Sequence, residues 1–373
     1  MSKASVFKGG LLAASLVVAA GTAGAKAQSA AEFYKGKSIR VVIGASAGGS
    51  YDTVGRMMAR NMRRHVPGTP NMVAQNRTGA SSRVAANWLY NAGPRDGTVI
   101  GAFSQTLGLA QVLGQRGVKY DATKFLWIGT PIQPVSVMVA RRDTGIKNLL
   151  DTRNKELVVG ATSSTGANFI YPALANYLFD TKLKIVIGYK GGTQVDLALE
   201  RGEIGARGSA TWSDIMNTRS HWLKDKLIYV LAQNSLTKHR DLPDVPRFVD
   251  LATDPDKRAV LELMGKVASI GRPLLTNRGV PADRIAALRA AFDATMKDKA
   301  FLADAKKVHV DVNPMRGEDI QKLIAEIMAT PKKIVGMTNA ALARNATQCR
   351  QFTDPKYCRS KKKKKKGKKK KQG

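Results

Sequence analysis

Ile39-Arg40-Val41-Val42-Ile43-Gly44-Ala45-Ser46-Ala47-Gly48-Gly49-Ser50-Tyr51-Asp52 is the stretch whose reading decides the fold. Five residues of strand character run into a turn of glycines and small residues, and a helical pattern over 51–65 follows directly. Glycine lets the backbone turn sharply and bring its N–H groups close to whatever lies above. The helix that follows points the positive end of its dipole at the same place, so strand, turn and helix together form an anion cradle.

The arrangement recurs. Gly160-Ala161-Thr162-Ser163-Ser164-Thr165-Gly166-Ala167-Asn168 separates a strand at 157–161 from a helix starting near Asn168. Lys190-Gly191-Gly192-Thr193 follows a strand at 184–189 and precedes a helix at 194–201, with Asp196 in its first turn. The hydroxyls of the second turn can cap their own helix or bind a ligand. Asp52 and Asp196 can serve their helix dipoles or receive a ligand donor. Arg56, Arg77, Lys190 and Arg207 can pair with an anion or remain solvated. Three such turns on the carboxyl ends of strands, spread along the chain, point to ligand binding in a cleft.

Around them, short apolar runs alternate with helical patterns, as in a parallel, helix-covered sheet. Strands are expected at 39–44, 71–75, 98–103 and 125–129, with helices at 51–65, 82–91 and 105–114. Thr130-Pro131-Ile132-Gln133-Pro134 then opens a second series, with strands at 135–140, 157–161, 184–189, 204–208 and 227–231. After Ala232-Gln233-Asn234 the chain is expected to return to the first unit. That return holds a strand at 269–275, a helix at 281–297, a last strand at 308–312 and helices at 317–329 and 332–344. The organisation is two α/β lobes, 28–131 plus 235–345 and 132–234, joined by two crossings.

Before the first strand, Lys3 and Lys8 precede a ten-residue apolar run from Leu11 to Ala20 and then Ala25-Lys26-Ala27. This is the order of an export signal cleaved near Ala27, and the run falls well short of the roughly 20 residues that span a bilayer. An apolar fraction of 43% is enough for true cores. Sixty-one basic against 28 acidic residues give a net charge of +33, which favours anionic ligands or surfaces without naming one. Behind an export signal, Cys349 and Cys358 are placed to close a small disulfide loop. The alternative is a metal site, which would need further ligands that the neighbouring sequence lacks.

Gly44-Ala45-Ser46-Ala47-Gly48 is also a literal G-x-S-x-G, the turn that exposes a nucleophilic serine in α/β hydrolases. An exported hydrolase using Ser46 is therefore the alternative reading. Against it, His65, His221, His239 and His309 lie in polar contexts without an orienting pattern. A phosphate loop lacks its lysine, since Ser50 and Tyr51 stand where Lys and Ser or Thr belong. No cofactor or metal is expected. The tail beyond Ala346 carries Lys361–366 and Lys368–371, which cannot fold alone and offers charge without base readout. It is expected to contact anionic lipid or cell-wall polymer, or to have no function, and no specific nucleic acid is implied.

Together, Ile39–Ile43, Gly48-Gly49-Ser50-Tyr51-Asp52 and Arg56 resemble the opening of the substrate-binding proteins of tripartite tricarboxylate transporters, the TctC or Bug family. The resemblance continues through Val73-Ala74-Gln75-Asn76-Arg77-Thr78-Gly79-Ala80, Pro94-Arg95-Asp96-Gly97-Thr98 and Trp127-Ile128-Gly129. Gly188-Tyr189-Lys190-Gly191-Gly192, Glu200-Arg201-Gly202-Glu203 and Gly279-Val280-Pro281-Ala282 extend it, so that it covers about 32–345. It implies a type II periplasmic-binding-protein fold in a monomeric periplasmic protein with no catalysis. Such a protein closes on a small organic acid and delivers it to membrane transporter subunits. A sensor presenting its ligand to a two-component kinase would use the same pocket.

The resemblance assigns the ligand carboxylate to Gly48, Gly49 and Ser50 in one lobe and to Ser163, Ser164, Thr165 and Gly166 in the other. Asn76 and Gly79 border the first wall, and Asp196 faces the far end of the ligand. Where the family has a proline and an aromatic residue before the glycine pair, this chain has Gly44-Ala45-Ser46-Ala47. The substitution implies a wider pocket and puts the smaller dicarboxylates in doubt.

Overall fold

The computed structural model describes Met1 and residues 28–162, 166–189 and 191–345, with side chains of the last helix described to Ala343. The leader, Ser163 to Thr165, Lys190 and everything from Ala346 onward, including Cys349, Cys358 and the lysine tail, lie outside the described residues.

The molecule is built on two sheets. The first contains β1 (Ser38–Ile43), β2 (Asn71–Asn76), β3 (Val99–Ala102) and β4 (Leu126–Thr130). The second contains β5 (Ser136–Arg141), β6 (Leu157–Ala161), β7 (Leu183–Ile187), β8 (Ala206–Thr211) and β9 (Ile228–Gln233). The chain then returns to the first sheet with β10 (Leu274–Thr276) and β11 (Met315–Arg316). The first sheet has the order β11-β4-β10-β3-β1-β2 and the second β7-β6-β8-β5-β9. In the first, β1 runs parallel to β2 and β3, while β10 lies antiparallel between β3 and β4. In the second, β6 is parallel to β7 and β8, and β5 is antiparallel to β8 and β9. The chain thus crosses between sheets twice, after Thr130 and after Gln233, giving the expected α/β fold of two lobes.

Helices cover the faces. Helix Ser50–Met62 buries Val54, Met57, Met58 and Met62 against β1 and β2. A Cβ on Gly55 would lie 2.9 Å from the Ile43 side chain, so the helix can approach the strand this closely only at glycine. Each fully buried Ile or Met here contributes about 1.5–3 kcal/mol. The largest core cluster contains Phe103, Trp127 and Leu275 of the first sheet region together with Val159, Ala206 and Leu231 of the second. Helix Lys332–Asn345 joins them by packing on helices Ala167–Phe179 and Pro255–Ser269.

Two expectations fail here. Residues 308–312 read as a strand because Val308, Val310 and Val312 alternate, yet no strand forms. His309 takes φ +54°, and the amide of Val310 donates to Ala305 O at 2.9 Å, closing the end of helix Lys299–Lys307. Val310 and Val312 pack on the core while β11 takes the edge of β4. The strand expected at 269–275 is only Leu274–Thr276, because helix Pro255–Ser269 runs to its first residue and the chain then turns through Gly271 at φ +66°. Asp254 caps that helix through the amide of Lys257, and Pro255 sits at its first turn.

Candidate functional site

Because β1, β2 and β3 are parallel, the turns at 44–49, 77–82 and 103–106 all leave the same edge of the first sheet. The parallel β6, β7 and β8 likewise place the turns leading to helices Ala167–Phe179, Gly192–Glu200 and Trp212–Thr218 on one edge of the second. The three glycine turns found in the sequence lead into helices that begin on Gly49, Gly166 and Gly191. None of these caps has a side chain to satisfy the first amides of its helix. Phe169 and Gln194 donate back to the carbonyls of Gly166 and Gly191, and the amides before them have no partner within the helix.

Gly48 (φ +77°), Gly49 and Ser50 are exposed at the tip of the first turn. Beneath them a polar cluster fixes the turn. Asp52, 4% exposed, accepts from the Gly48 amide at 3.0 Å, Arg56 Nε at 3.0 Å and Asn76 Nδ2 at 2.8 Å. Burial alone would raise its carboxyl, but the hydrogen bonds from Arg56, Asn76 and Gly48 outweigh it and hold the group below the ordinary carboxylate range. Asn76 also donates to Ala45 O at 2.9 Å and accepts from Arg56 Nη2 at 2.7 Å. Its amide is therefore engaged within the turn. Gly79 (φ +130°) opens the left-handed run Ala80-Ser81-Ser82, whose last hydroxyl donates to Gly44 O at 3.1 Å and accepts from the Ser104 amide at 3.0 Å. The three turns of this edge are thereby tied together.

The residue that sequence reasoning missed is Arg272. It lies just before β10, whose N-terminal end pairs with Ala102 and so reaches the same edge. Its backbone amide donates to Thr130 Oγ1 at 2.9 Å. Its guanidinium lies 4.3 Å from the Tyr51 ring centre, where Nε donates to Ser50 Oγ at 3.0 Å and Nη1 to Gln105 Oε1 at 3.1 Å. Tyr51 Oη in turn accepts from the Gln105 amide at 3.1 Å. All these partners of the guanidinium are neutral, and among the described residues no carboxylate forms an ion pair with it. Only proximity in sequence could have suggested the contact, and 222 residues separate Arg272 from Ser50.

The second edge is dominated by paired charges. Asp196, 7% exposed, receives Arg207 Nη1 on one oxygen, and Arg219 Nη2 lies 3.7 Å from the other. Arg219 Nε also lies 3.5 Å from Glu200, which holds His221 at 3.2 Å. Arg207 Nη2 lies 3.0 Å from the point a Cβ on Gly192 would occupy, at the entrance of helix Gly192–Glu200. Asn168, beside Gly166, accepts from the Ser209 amide at 2.8 Å. The other hydroxyl-turn candidates, Ser163, Ser164 and Thr165, are outside the described residues.

Asp214, in the first turn of helix Trp212–Thr218, connects the two edges electrostatically. Although its surface is open to solvent, protein crowded around the carboxyl raises it above the ordinary value. Arg207 lowers it, Asp196 raises it, and Arg272, from the first edge, lowers it again. The site thus offers uncapped amides, three guanidiniums and two aspartates, of which one is fully paired. This arrangement suits a small anion and lacks a metal-ligand group of three or more His, Cys, Asp or Glu among the described residues.

Arg56 is committed to Asp52, and Arg77 stacks 4.7 Å from the Trp88 ring centre. Ser46 is exposed and its hydroxyl has no histidine partner among the described residues. His65, His221 and His239 lie instead against Asp298, Glu200 and Asp241. No described helix is long and apolar enough to cross a membrane.

No family model matches the sequence, and no curated protein matches it either. Solved structures do match by fold. A TctC solute-binding protein from Polaromonas, without ligand, shares 18% identity over 82% of this chain and 99% of its own, with a TM-score of 0.62. The periplasmic binding protein BugD shares 18% identity over 83% of this chain and 98% of its own, at 0.61. MatC from Rhodopseudomonas palustris, with bound malate, shares 16% over 80% and 99%, at 0.59. The chain therefore has the two-lobe fold of these binding proteins.

Proposed function

We propose that this chain is an exported solute-binding protein of the TctC or Bug type. It captures a small organic anion, a carboxylate, between its lobes and delivers it to a tripartite tricarboxylate-type membrane transporter. The observation that carries this reading is the set of helices begun by Gly49, Gly166 and Gly191. They stand on the carboxyl edges of both sheets, with leading amides that no side chain caps, where a helix N-terminus favours an anion. Malate bound to MatC, of the same fold, supports a carboxylate as cargo.

In this reading lobe 28–131 plus 235–345 closes on lobe 132–234 about the two crossings, and no bond is made or broken. Gly48, Gly49 and Ser50 present donors from one side, and Gly166 with Ser163, Ser164 and Thr165 from the other. Asn76 and Gly79 support the first turn from behind. Asp196 acts through Arg207 rather than as an open acceptor. The protein works as a periplasmic monomer after cleavage near Ala27, and the lysine tail contacts anionic lipid or cell-wall polymer.

A thermal-shift screen of the mature protein against organic acids tests the reading. An acid at 100-fold its dissociation constant adds about 2.7 kcal/mol of stability. A response to carboxylates supports it; silence across carboxylates with a response to nucleotides overturns it.

A further inference from the structure

We infer that Arg272 is a direct side-chain anchor for the ligand's anionic group, and that the site selects acids without an ammonium group. The inference rests on the binding-protein reading above and deepens it from ligand class to the residue that determines charge.

An arginine set among protein carboxylates has its charge answered within the fold. Arg207, Arg219 and Arg56 are of this kind, on Asp196, on Asp196 with Glu200, and on Asp52. Arg272 is different. Ser50 Oγ, Gln105 Oε1 and Gly271 O fix three of its hydrogen bonds, and the Tyr51 ring supports its plane. These neutral partners orient the guanidinium without neutralising it, and they stand at the entrance of helix Ser50–Met62, where the dipole also favours an anion. A planar guanidinium held in one pose is the side chain best matched to a carboxylate.

Ammonium exclusion follows from the facing edge. Asp196 would be the natural acceptor for an ammonium, but Arg207 and Arg219 occupy both of its oxygens. Asp214 is the other aspartate, and it lies within electrostatic reach of Arg207 and Arg272. Asp196 and Glu200 answer Arg207 and Arg219, which leaves Arg272 as the guanidinium here without a carboxylate in its ion-pair shell. An ammonium placed there would meet like charge, whereas a hydroxyl or a second carboxylate would not.

The test is isothermal titration of the mature protein with malate, aspartate, adipate, 2-aminoadipate, tricarballylate and benzoate, for wild type, Arg272→Gln, Arg272→Lys and Ser50→Ala. Circular dichroism and ligand-free melting confirm that each variant is folded. At least one acid without ammonium binds wild type, and its amino-substituted counterpart binds at least tenfold more weakly. Arg272→Gln loses about 10- to 100-fold, as expected for a charge-assisted hydrogen bond. Arg272→Lys recovers part of that loss, and Ser50→Ala loses a few-fold. If a carboxylate binds wild type and folded Arg272→Gln equally, the anchor is overturned while the binding-protein reading stands. Equal affinity for the amino and non-amino acid overturns the selectivity. No binding of any of the six acids to wild type overturns the anchor and counts against the reading on which it rests.

Discussion

Gly271 and Ile132 meet so closely that a Cβ on the glycine would fall 1.9 Å from the Ile132 carbonyl oxygen. Gly271 also holds φ +66°, in the left-handed region where L side chains are strained. The contact joins the first crossing between lobes to the residue that positions Arg272. Gly271→Ala is therefore expected to cost about 2–5 kcal/mol, from backbone strain together with a clash that no side-chain rotation relieves. Chemical denaturation read by circular dichroism checks this. A loss under about 0.5 kcal/mol would show that the close approach relaxes freely.

Asp52 governs the first glycine turn from below. Asp52→Asn removes the charge that Arg56 pairs with and should cost about 1–3 kcal/mol at neutral pH. Its folded carboxyl lies below the ordinary range, so its stabilisation is fully present above the unfolded value, near pH 4. It is lost as pH falls through the lower, folded value. Melting curves of wild type and variant should therefore differ most at pH 6–7 and converge below about pH 4. A gap that widened on acidification would contradict the assignment.

Much of this was legible along the chain. Strand Leu157–Ala161 follows from its apolar run, and helices begin on Gly49, Gly166 and Gly191 after the three glycine-rich stretches, because strand and cap chemistry is local. What failed was long-range. The alternating valines at 308–312 satisfy a strand pattern, but a ladder needs a free partner edge, and β11 had taken it. Helix Pro255–Ser269 carries its own start signal in Asp254-Pro255, yet its packing against helix Lys332–Asn345 lies far off in sequence. Asn76 and Asp196 lie close to the turns. Whether their hydrogen bonds go to a ligand or to Arg56, Arg207 and Arg219 depends on where those arginines land, and spacing does not carry that information.

Asp214 and Arg272 act on each other electrostatically with opposite sign. Its carboxyl is raised by protein crowded around it, so it takes up a proton at a higher pH than an ordinary carboxylate. Protonation removes a negative charge facing the anion, so affinity should rise as pH falls through that window for a ligand that stays ionised. Asp214→Asn should bind such an anion about 2- to 10-fold more tightly at low salt and lose that part of the pH dependence. Titrations with a sulfonate analogue, ionised throughout, separate this from protonation of the ligand. An unchanged pH profile in the variant would remove Asp214 from the site's electrostatics.

Ser46 distinguishes capture from hydrolysis. In a nucleophile elbow the serine hydroxyl needs a histidine base within hydrogen-bond reach, itself held by a third group. Three of the histidines are held by carboxylates, but these pairs flank other elements: His65 with Asp298, His221 with Glu200, His239 with Asp241. The Ser46 carbonyl accepts from the Gly49 amide at 3.4 Å, so the residue shapes the turn through its backbone, which alanine preserves. Ser46→Ala should leave carboxylate affinity within about twofold, and neither protein should release nitrophenol from short-chain nitrophenyl esters above the buffer rate. Ester turnover by wild type that disappeared in the variant would establish an enzyme in place of a carrier.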